Sequence, residues 1–363
     1  MSEEQQKLLR IRDTIDAIDS KIQNLLNERA TAAQEVARIK LAADPEAVFY
    51  RPEREAQVLR LVKERNAGPL DDESIARLFR EIMSACLALE KPLNIAYLGP
   101  EGTFTQSAAL KHFGHSIKMQ SMSAIPDVFC EVESGGCDYG VVPVENSTEG
   151  VVSHTLDMFI RSPLSICGEV SLRINQNLMS YAKSPENIRV IYSHQQSLAQ
   201  CRGWLDRHIG HDVERVAVSS NAEAAKMASA DKHAAAIAGE SAAELYDLHI
   251  LERNIEDEPG NTTRFIVIGK QEVPASGKDK TSLMLASKNE AGGLHSMLTP
   301  LAKHKISMTR IESRPSRRGI WDYVFFIDVI GHKDDEDVKK AFDELSETAS
   351  FFKILGSYPI AVL

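Results

Sequence analysis

Apolar and small side chains recur at Leu8, Ile11, Ile15, Ile18, Ile22, Leu25, Ala32, Val36 and Ile39, in alternating steps of three and four. That period writes a heptad seam on one long helix, with no glycine before Gly68 and no proline before Pro45 to interrupt it. At about 1.5 Å per residue the helix spans roughly 50 Å, too long to bury its stripe within its own module. The pattern therefore predicts pairing with a second copy of the chain. A second helix from about Pro52 to Arg65 and a third from about Asp72 to Leu89, with Asp71 as N-cap, complete an all-α unit. After Lys91-Pro92 the period changes. Strand-like runs at Asn94 to Leu98, Tyr139 to Val144, Arg189 to Ser193, Val213 to Val218, Ala234 to Ala238 and Phe265 to Ile268 alternate with Ala-rich helices. This predicts an α/β unit with largely parallel strands. Beyond the polar stretch from Gln271 to Lys278 the order is strand, helix, two strands, helix, strand, a ferredoxin-like α+β unit. The predicted units are 1–91, 93–270 and 281–363.

The chain is 43% apolar and 26% charged, the make-up of an ordinary soluble protein. Its net charge of -10 argues against a nucleic-acid partner, because phosphate affinity comes from clustered Lys and Arg. An anionic substrate must then be drawn by local arginines rather than by the overall field. No apolar run reaches membrane-spanning length, and the Met1-Ser2-Glu3-Glu4 start does not read as a signal peptide. The cysteines Cys86, Cys130, Cys137, Cys167 and Cys201 are odd in number, scattered and without a CxxC pair. They read as reduced cytoplasmic thiols rather than zinc ligands.

Several polar groups sit where strands and helices would hold them rigidly. Asn261-Thr262-Thr263-Arg264-Phe265 places two hydroxyls and a cation where an acidic loop becomes an apolar strand. Glu145-Asn146-Ser147-Thr148 puts four consecutive polar groups at the end of another strand, where a plain N-cap needs one. Gly99-Pro100-Glu101-Gly102-Thr103 joins a strand to a helix, and its spacing matches neither GxGxxG nor the P-loop. Tyr192-Ser193-His194-Gln195-Gln196 is a third such strand end. On the long helix Arg29 falls on the apolar seam, with Arg12 and Lys40 beside it and Arg54 on the second helix. A cation there needs an anion, either a structural partner such as Glu28 or Glu55 or a bound dianion. Phe79, Met83, Cys86 and Glu90 share one face of the third helix.

These motifs carry three resemblances. The helical unit resembles the all-helical chorismate mutases, intertwined dimers whose sites draw on both chains. The likeness implies that Arg12 (from the partner copy), Arg29 and Arg54 bind two carboxylates, that Lys40 donates to the ether oxygen and that Glu55 accepts from the ring hydroxyl. The sequence departs from one familiar form of the motif at Arg51, Cys86 and Glu90. An ionised Glu90 cannot donate where a Gln commonly does, so mutase activity is expected to need Glu90 protonated and to fall as pH rises. The central unit resembles the prephenate dehydratases, two-lobed and similar to periplasmic binding proteins. That likeness implies that Thr263 hydrogen-bonds the departing hydroxyl, with Glu145 as an alternative acid. Thr103, Asn146, Ser147, Thr148 and Gln196 would bind prephenate, and Arg264 would face a carboxylate. His194 reads as a catalytic candidate or, more readily, as a structural residue beside Gln196. Neither reaction calls for a metal or cofactor. The last unit is similar to the ACT regulatory domain, with Gly292, Gly293 and Leu294 at its first turn and Glu312, Ser313, Arg314 and Pro315 as the implied phenylalanine-binding residues, although Gly293 replaces a usual Ala.

Together the resemblances imply a bifunctional mutase–dehydratase acting on chorismate and prephenate with phenylalanine as allosteric ligand, assembled as a homodimer or tetramer without nucleic-acid or membrane partners. Two other readings stand beside it: a bilobed amino-acid or keto-acid sensor without turnover, and a dehydratase whose helical unit has become a dimerisation arm. The hydroxyl and Glu145 cluster favours an enzyme over a sensor, and retention of Arg12, Arg29, Lys40 and Arg54 speaks against a decayed mutase.

Overall fold

The computed structural model describes residues 2–45, 47–210, 212–286, 291–315 and 323–363. Its first helix, α1 (Glu3–Ala43), opens on a capping box. Ser2 Oγ accepts the Gln5 N–H at 3.2 Å, and Gln5 Oε1 accepts the Ser2 N–H at 2.9 Å. Within this single chain Ala37 is its one buried residue. Leu8, Ile11, Ile15, Ile18, Ile22, Leu25, Val36 and Ile39 stand in solvent, so the heptad seam is present and uncovered. Helices α2 (Pro52–Arg65) and α3 (Asp72–Glu90) pack against each other, and Asp71 caps α3 by accepting from the Ser74 N–H at 2.8 Å.

The central module has two lobes. The first carries a sheet of β1 (Asn94–Leu98), β2 (Lys118–Met122), β3 (Tyr139–Asn146), β5 (Ser165–Arg173) and β11 (Thr262–Gly269) in the order β2-β1-β3-β11-β5, with the short β4 (Gly150–Val151) paired to β3. Helices α4 (Phe104–Phe113), α5 (Ile125–Ser134) and α6 (Ser153–Phe159) cover it. The second lobe orders β6 (Asn177–Ser180), β7 (Val190–His194), β8 (Glu214–Val218), β9 (Ala234–Ala238) and β10 (His249–Glu252) as β10-β6-β9-β7-β8. It is built with α7 (Gln195–Gln200), α8 (Arg202–His208), α9 (Asn221–Ser229) and α10 (Glu240–Leu245). The Ala-rich strand β9 lets α9 approach closely, with Ala224, Ala225 and Ala228 packed in one core with Ala234 and Ala236.

The sheets are mixed rather than largely parallel. β1–β2, β1–β3, β7–β8 and β7–β9 pair in parallel, whereas β3–β11, β5–β11, β6–β9 and β6–β10 are antiparallel. The chain crosses between lobes at 174–176 and 253–261, and a strand that enters its sheet from the other lobe runs against its neighbours.

The third module, β12 (Asp279–Ala286), α11 (Gly293–Lys303), β13 (Met308–Pro315), β14 (Tyr323–Ile330), α12 (Glu336–Thr348) and β15 (Phe351–Pro359), has the expected βαββαβ order and an antiparallel sheet β13-β14-β12-β15. That sheet lies on the first lobe. Met284, Phe326, Leu355 and Tyr358 share a core with Val142, Val144, Ile166 and Ile266. The approach is close enough that a Cβ on Gly356 would fall 2.2 Å from the Ile166 carbonyl oxygen. The residues after β15 reach the helical module, where Val362 and Leu363 pack on Leu59, Ala76 and Met83 and Lys63 Nζ donates to the Val362 carbonyl at 2.6 Å. At the boundary between the helical module and the first lobe, the Tyr50 hydroxyl meets His112 Nε2 at 2.8 Å. Burial, then the nearby Arg80, pushes the His112 pKa down to about 3, so the ring is neutral. Among the described residues no helix is long and apolar enough to cross a membrane.

Candidate active sites

A cleft of about 400 Å³ opens between the two lobes of the central module. The first lobe contributes Thr103, Ser123, Asn146 and Thr263, and the second contributes His194, Gln196, Ser197 and the run Ser219-Ser220-Asn221. Asn261 and Gln176 lie where the chain crosses between lobes, and Gln200 ends α7 of the second lobe. Four of the residues expected to act on prephenate (Thr103, Asn146, Gln196 and Thr263) are therefore brought together from separate parts of the sequence.

Strand register decides which neighbours join them. Thr263 lies opposite Asn146, and Arg264 lies opposite Glu145. Side chains alternate along a strand, so the first pair points into the cleft and the second to the far face. Asn146 is buried, and its Oδ1 accepts the Thr148 N–H at 3.1 Å, the Thr148 hydroxyl at 2.6 Å and the Glu149 N–H at 3.0 Å. Its acceptor thus engaged, Nδ2 donates to Asn261 Oδ1 and to Thr263 Oγ1, each at 2.8 Å. Thr263 receives a hydrogen bond, and its own O–H is available to donate into the cleft. Ser147 and Thr148 support this arrangement instead of lining the cleft. Ser147 Oγ accepts the Thr262 N–H at 2.9 Å, and Thr148 holds Asn146. Thr103 donates to the Pro100 carbonyl at 2.9 Å, and His194 Nδ1 accepts the Gln196 N–H at 3.4 Å as the cap of α7.

Glu145 and Arg264 were expected in this cleft and are not there. The Glu145 carboxylate is paired at 3.2 Å with Arg310 on β13. Arg264 donates to Glu169 at 2.9 Å, to Asp328 at 2.5 Å and to the Tyr358 hydroxyl at 2.9 Å. Lys280 joins Glu169 at 2.8 Å, and Ser282 donates to Asp328 at 2.5 Å. Three cations (Arg264, Lys280, Arg310) thus face three carboxylates (Glu145, Glu169, Asp328) between the first lobe and the third module. Burial opposes the Arg264 charge, but Tyr358, Asp328 and Glu169 more than offset it and raise its pKa.

Among the described residues the cleft lining contains no Asp, Glu, Lys or Arg, and two helix starts face it instead. α4 begins at the cleft beside Thr103, whose side chain makes no capping bond, and α9 begins there beside Ser220, whose hydroxyl already accepts the Glu223 N–H at 3.0 Å. Unpaired first-turn N–H groups and the positive end of the helix dipole suit carboxylates. The Ser219-Ser220-Asn221 run was visible in the sequence as polar residues just after a strand, the same signal that marked the other segments.

In the helical module Arg29, Lys40 and Glu90 form one electrostatic group. Burial raises the Glu90 pKa, while Lys40 and Arg29 pull it the other way. Lys40 Nζ donates to the Val48 carbonyl at 3.3 Å and lies 5.4 Å from the centre of the Phe49 ring. Arg29 donates to the Ile82 carbonyl at 3.5 Å. Among the described residues no carboxylate lies within ion-pair distance of Arg12, Arg29 or Arg54, the condition that suits a bound dianion. Glu55 is held by Arg80, a buried residue that sequence reasoning passed over, with Arg29 also acting on it. Cys86 is buried, and Arg54 is exposed on α2. Arg12 sits on α1 at about 25 Å from Arg29 along the helix axis, given 1.5 Å per residue.

In the third module Gly292 caps α11 at φ +83°, a conformation that favours glycine. Gly293 starts that helix, and Leu294 is exposed on it. Glu312, Ser313, Arg314 and Pro315 end β13. Arg314 is engaged across the module boundary, 3.1 Å from Asp157 and 2.9 Å from Ser153 on α6.

Family models describing chorismate mutase type II, prephenate dehydratase and the ACT domain match residues 11–91, 95–273 and 281–347. A bifunctional chorismate mutase/prephenate dehydratase of Stutzerimonas stutzeri is 57% identical, with 100% of each chain covered. The chain belongs to this bifunctional family. A solved prephenate dehydratase of Arthrobacter aurescens, in complex with L-Phe, is 31% identical with a TM-score of 0.68, covering 74% of this chain and 90% of its own. A structure described as a novel type of quorum quenching acylase is 29% identical at the same TM-score of 0.68, covering 74% of this chain and 98% of its own. The bifunctional chorismate mutase/prephenate dehydratase rearranges chorismate to prephenate, then removes water and carbon dioxide to give phenylpyruvate. The first reaction is pericyclic and needs a compact conformer and positive charge near the breaking C–O bond. The second is driven by aromatisation and needs help for the departing hydroxide.

Proposed function

We propose that Thr263 is the group that holds the hydroxyl leaving prephenate. The observation that carries this is the Asn146-to-Thr263 hydrogen bond inside the interlobe cleft. It occupies the oxygen as acceptor and turns the threonine proton outward. A threonine alcohol is a weak acid, so Thr263 orients the leaving group and shares its proton rather than surrendering it. The carboxylates of prephenate lie against the starts of α4 and α9, with Thr103 and Gln196 beside them.

In the mutase module we assign Arg29 and Arg54 to the substrate carboxylates, Lys40 and protonated Glu90 to the ether oxygen, and Glu55 to the ring hydroxyl. Arg12 completes the site from a second copy that covers the seam of α1. The exposed seam and the distance from Arg12 to Arg29 support a homodimer. Phenylalanine acts at the ACT module near Gly292 and Glu312, a reading supported by the related dehydratase solved with L-Phe. The five free cysteines suit a cytoplasmic enzyme.

The test is to give purified enzyme chorismate, then prephenate, and to follow phenylpyruvate with and without phenylalanine. Thr263→Ala is expected to lose dehydratase turnover and keep mutase turnover. Undiminished dehydratase turnover in Thr263→Ala would sink the assignment.

A further inference from the structure

Thr263 is aimed by a chain of amides that begins in the opposite lobe. Asn261, only 4% exposed, accepts from Asn146 Nδ2 through Oδ1 and donates through Nδ2 to Gln200 Oε1 at 3.3 Å. Gln200 closes α7 of the second lobe. Its Nε2 also donates to Thr148 Oγ1 of the first lobe at 3.4 Å, and its backbone carbonyl accepts the Asp257 N–H at 2.8 Å. Gln176, at the crossing between lobes, donates to the same Gln200 oxygen at 3.5 Å.

We infer that Asn261 is a positioning residue for the dehydratase reaction and that Gln200 is its support from the second lobe. The logic is one of donor and acceptor parity. Asn146 Oδ1 is held by Thr148 and Glu149, and its two amide hydrogens go to Asn261 Oδ1 and Thr263 Oγ1. Without the Asn261 acceptor one buried amide hydrogen is left unpaired beside Thr263, and Asn146 and Thr263 must shift to satisfy it. Asn261 is held by Ser147 of the first lobe, which donates to its Oδ1 at 3.4 Å, and by its own donation to Gln200 of the second lobe. Opening the lobes breaks the Gln200 contact and loosens the Asn261 amide, and with it the aim of the Thr263 hydroxyl. This inference rests on the role proposed above for Thr263, and the experiment separates the two.

Dehydratase kinetics are measured on the full chain, with the mutase rate of the same preparation reporting that the fold is intact. Asn261→Leu is expected to lower dehydratase kcat by about 10- to 100-fold with KM changed less than about threefold, the signature of a misdirected proton donor. Asn261→Asp retains an acceptor toward Asn146 and is expected to restore kcat to within about fivefold while raising KM, because it sets a negative charge beside an anionic substrate. Gln200→Leu is expected to lower kcat by about 3- to 10-fold, the loss of one neutral hydrogen bond at one remove. In a Thr263→Val background Asn261→Leu should cost nothing more, since its effect passes through the missing hydroxyl. The inference is overturned if Asn261→Leu leaves kcat unchanged, lowers mutase and dehydratase turnover together, or adds its full effect in the Thr263→Val background. Undiminished kcat in Thr263→Val alone would instead overturn the role of Thr263 itself.

Discussion

Removing Arg264 should weaken the attachment of the ACT module to the dehydratase lobe. The guanidinium makes three polar contacts, and its partners Glu169 and Asp328 are 5% and 3% exposed. In Arg264→Met, Glu169 keeps Lys280, but Asp328 is left with the Ser282 hydroxyl and the charge of Arg310 nearby. Deleting one partner of a buried pair costs about 3–5 kcal/mol, chiefly because the other charge stays buried. For a unit of this size each kcal/mol moves the midpoint by about 2–4 °C, so calorimetry should show a fall of about 6–20 °C. Adding Asp328→Asn should recover part of that loss, because the stranded charge is removed. Acid should show the same network. Burial pushes the Asp328 pKa up, but Arg264, the Ser282 hydrogen bond and Arg310 outweigh it and hold the value below the ordinary carboxylate range. The stability this contributes is present above the unfolded-state pKa and is lost as pH falls through the folded-state value. In Arg264→Met the folded-state pKa of Asp328 rises and protonation relieves the stranded charge, so the acid limb should be shallower and the deficit against wild type should narrow as pH falls. A midpoint within about 2 °C of wild type, or an unchanged acid limb, would refute the reasoning.

Three further outcomes are expected. Because burial raises the Glu90 pKa, mutase turnover should fall as pH rises through that raised value, and Glu90→Gln should flatten the fall; an unchanged pH profile would remove Glu90 from the site. Glu145→Gln should keep dehydratase kcat within about threefold, since its carboxylate faces Arg310 rather than the cleft, whereas a loss beyond about 100-fold would restore Glu145 as the acid. Ile15→Asp or Ile22→Asp on the exposed seam should dissociate the proposed dimer in sedimentation and lower mutase turnover by more than tenfold with little effect on the dehydratase; a variant that stays dimeric would place the interface elsewhere.

Long periodic elements were readable from sequence because one rule governs them. The helix α1, the Asp71 cap of α3 and the βαββαβ order of the last module all appear where spacing put them. The strands that escaped lack that regularity. β2 is a largely polar edge strand, β6 has only four residues, and β5 is too uniformly buried at its start to alternate. Reading β11 from Phe265 instead of Thr262 had a chemical consequence. With Thr262 inside the strand, alternation already sends Thr263 and Arg264 to opposite faces. Taken as loop residues, both could be imagined in one site. Asn261 was in view, but its part depends on Asn146 and Gln200, 115 and 61 residues away, and no local pattern encodes such a meeting.

The contact of Val362 and Leu363 with Leu59, Ala76 and Met83 bears on how such an enzyme is divided. Three modules follow one another along the polypeptide, but they are not beads that can be cut at the string. Severing the chain after residue 91 would bare an apolar patch on α2 and α3 that residues more than 270 positions further on keep dry. An excised mutase module should self-associate more than its exposed seam alone requires, which light scattering on that fragment would register. Joining the two catalysts in one chain has thus made the last residues of the regulatory module part of the fold of the first.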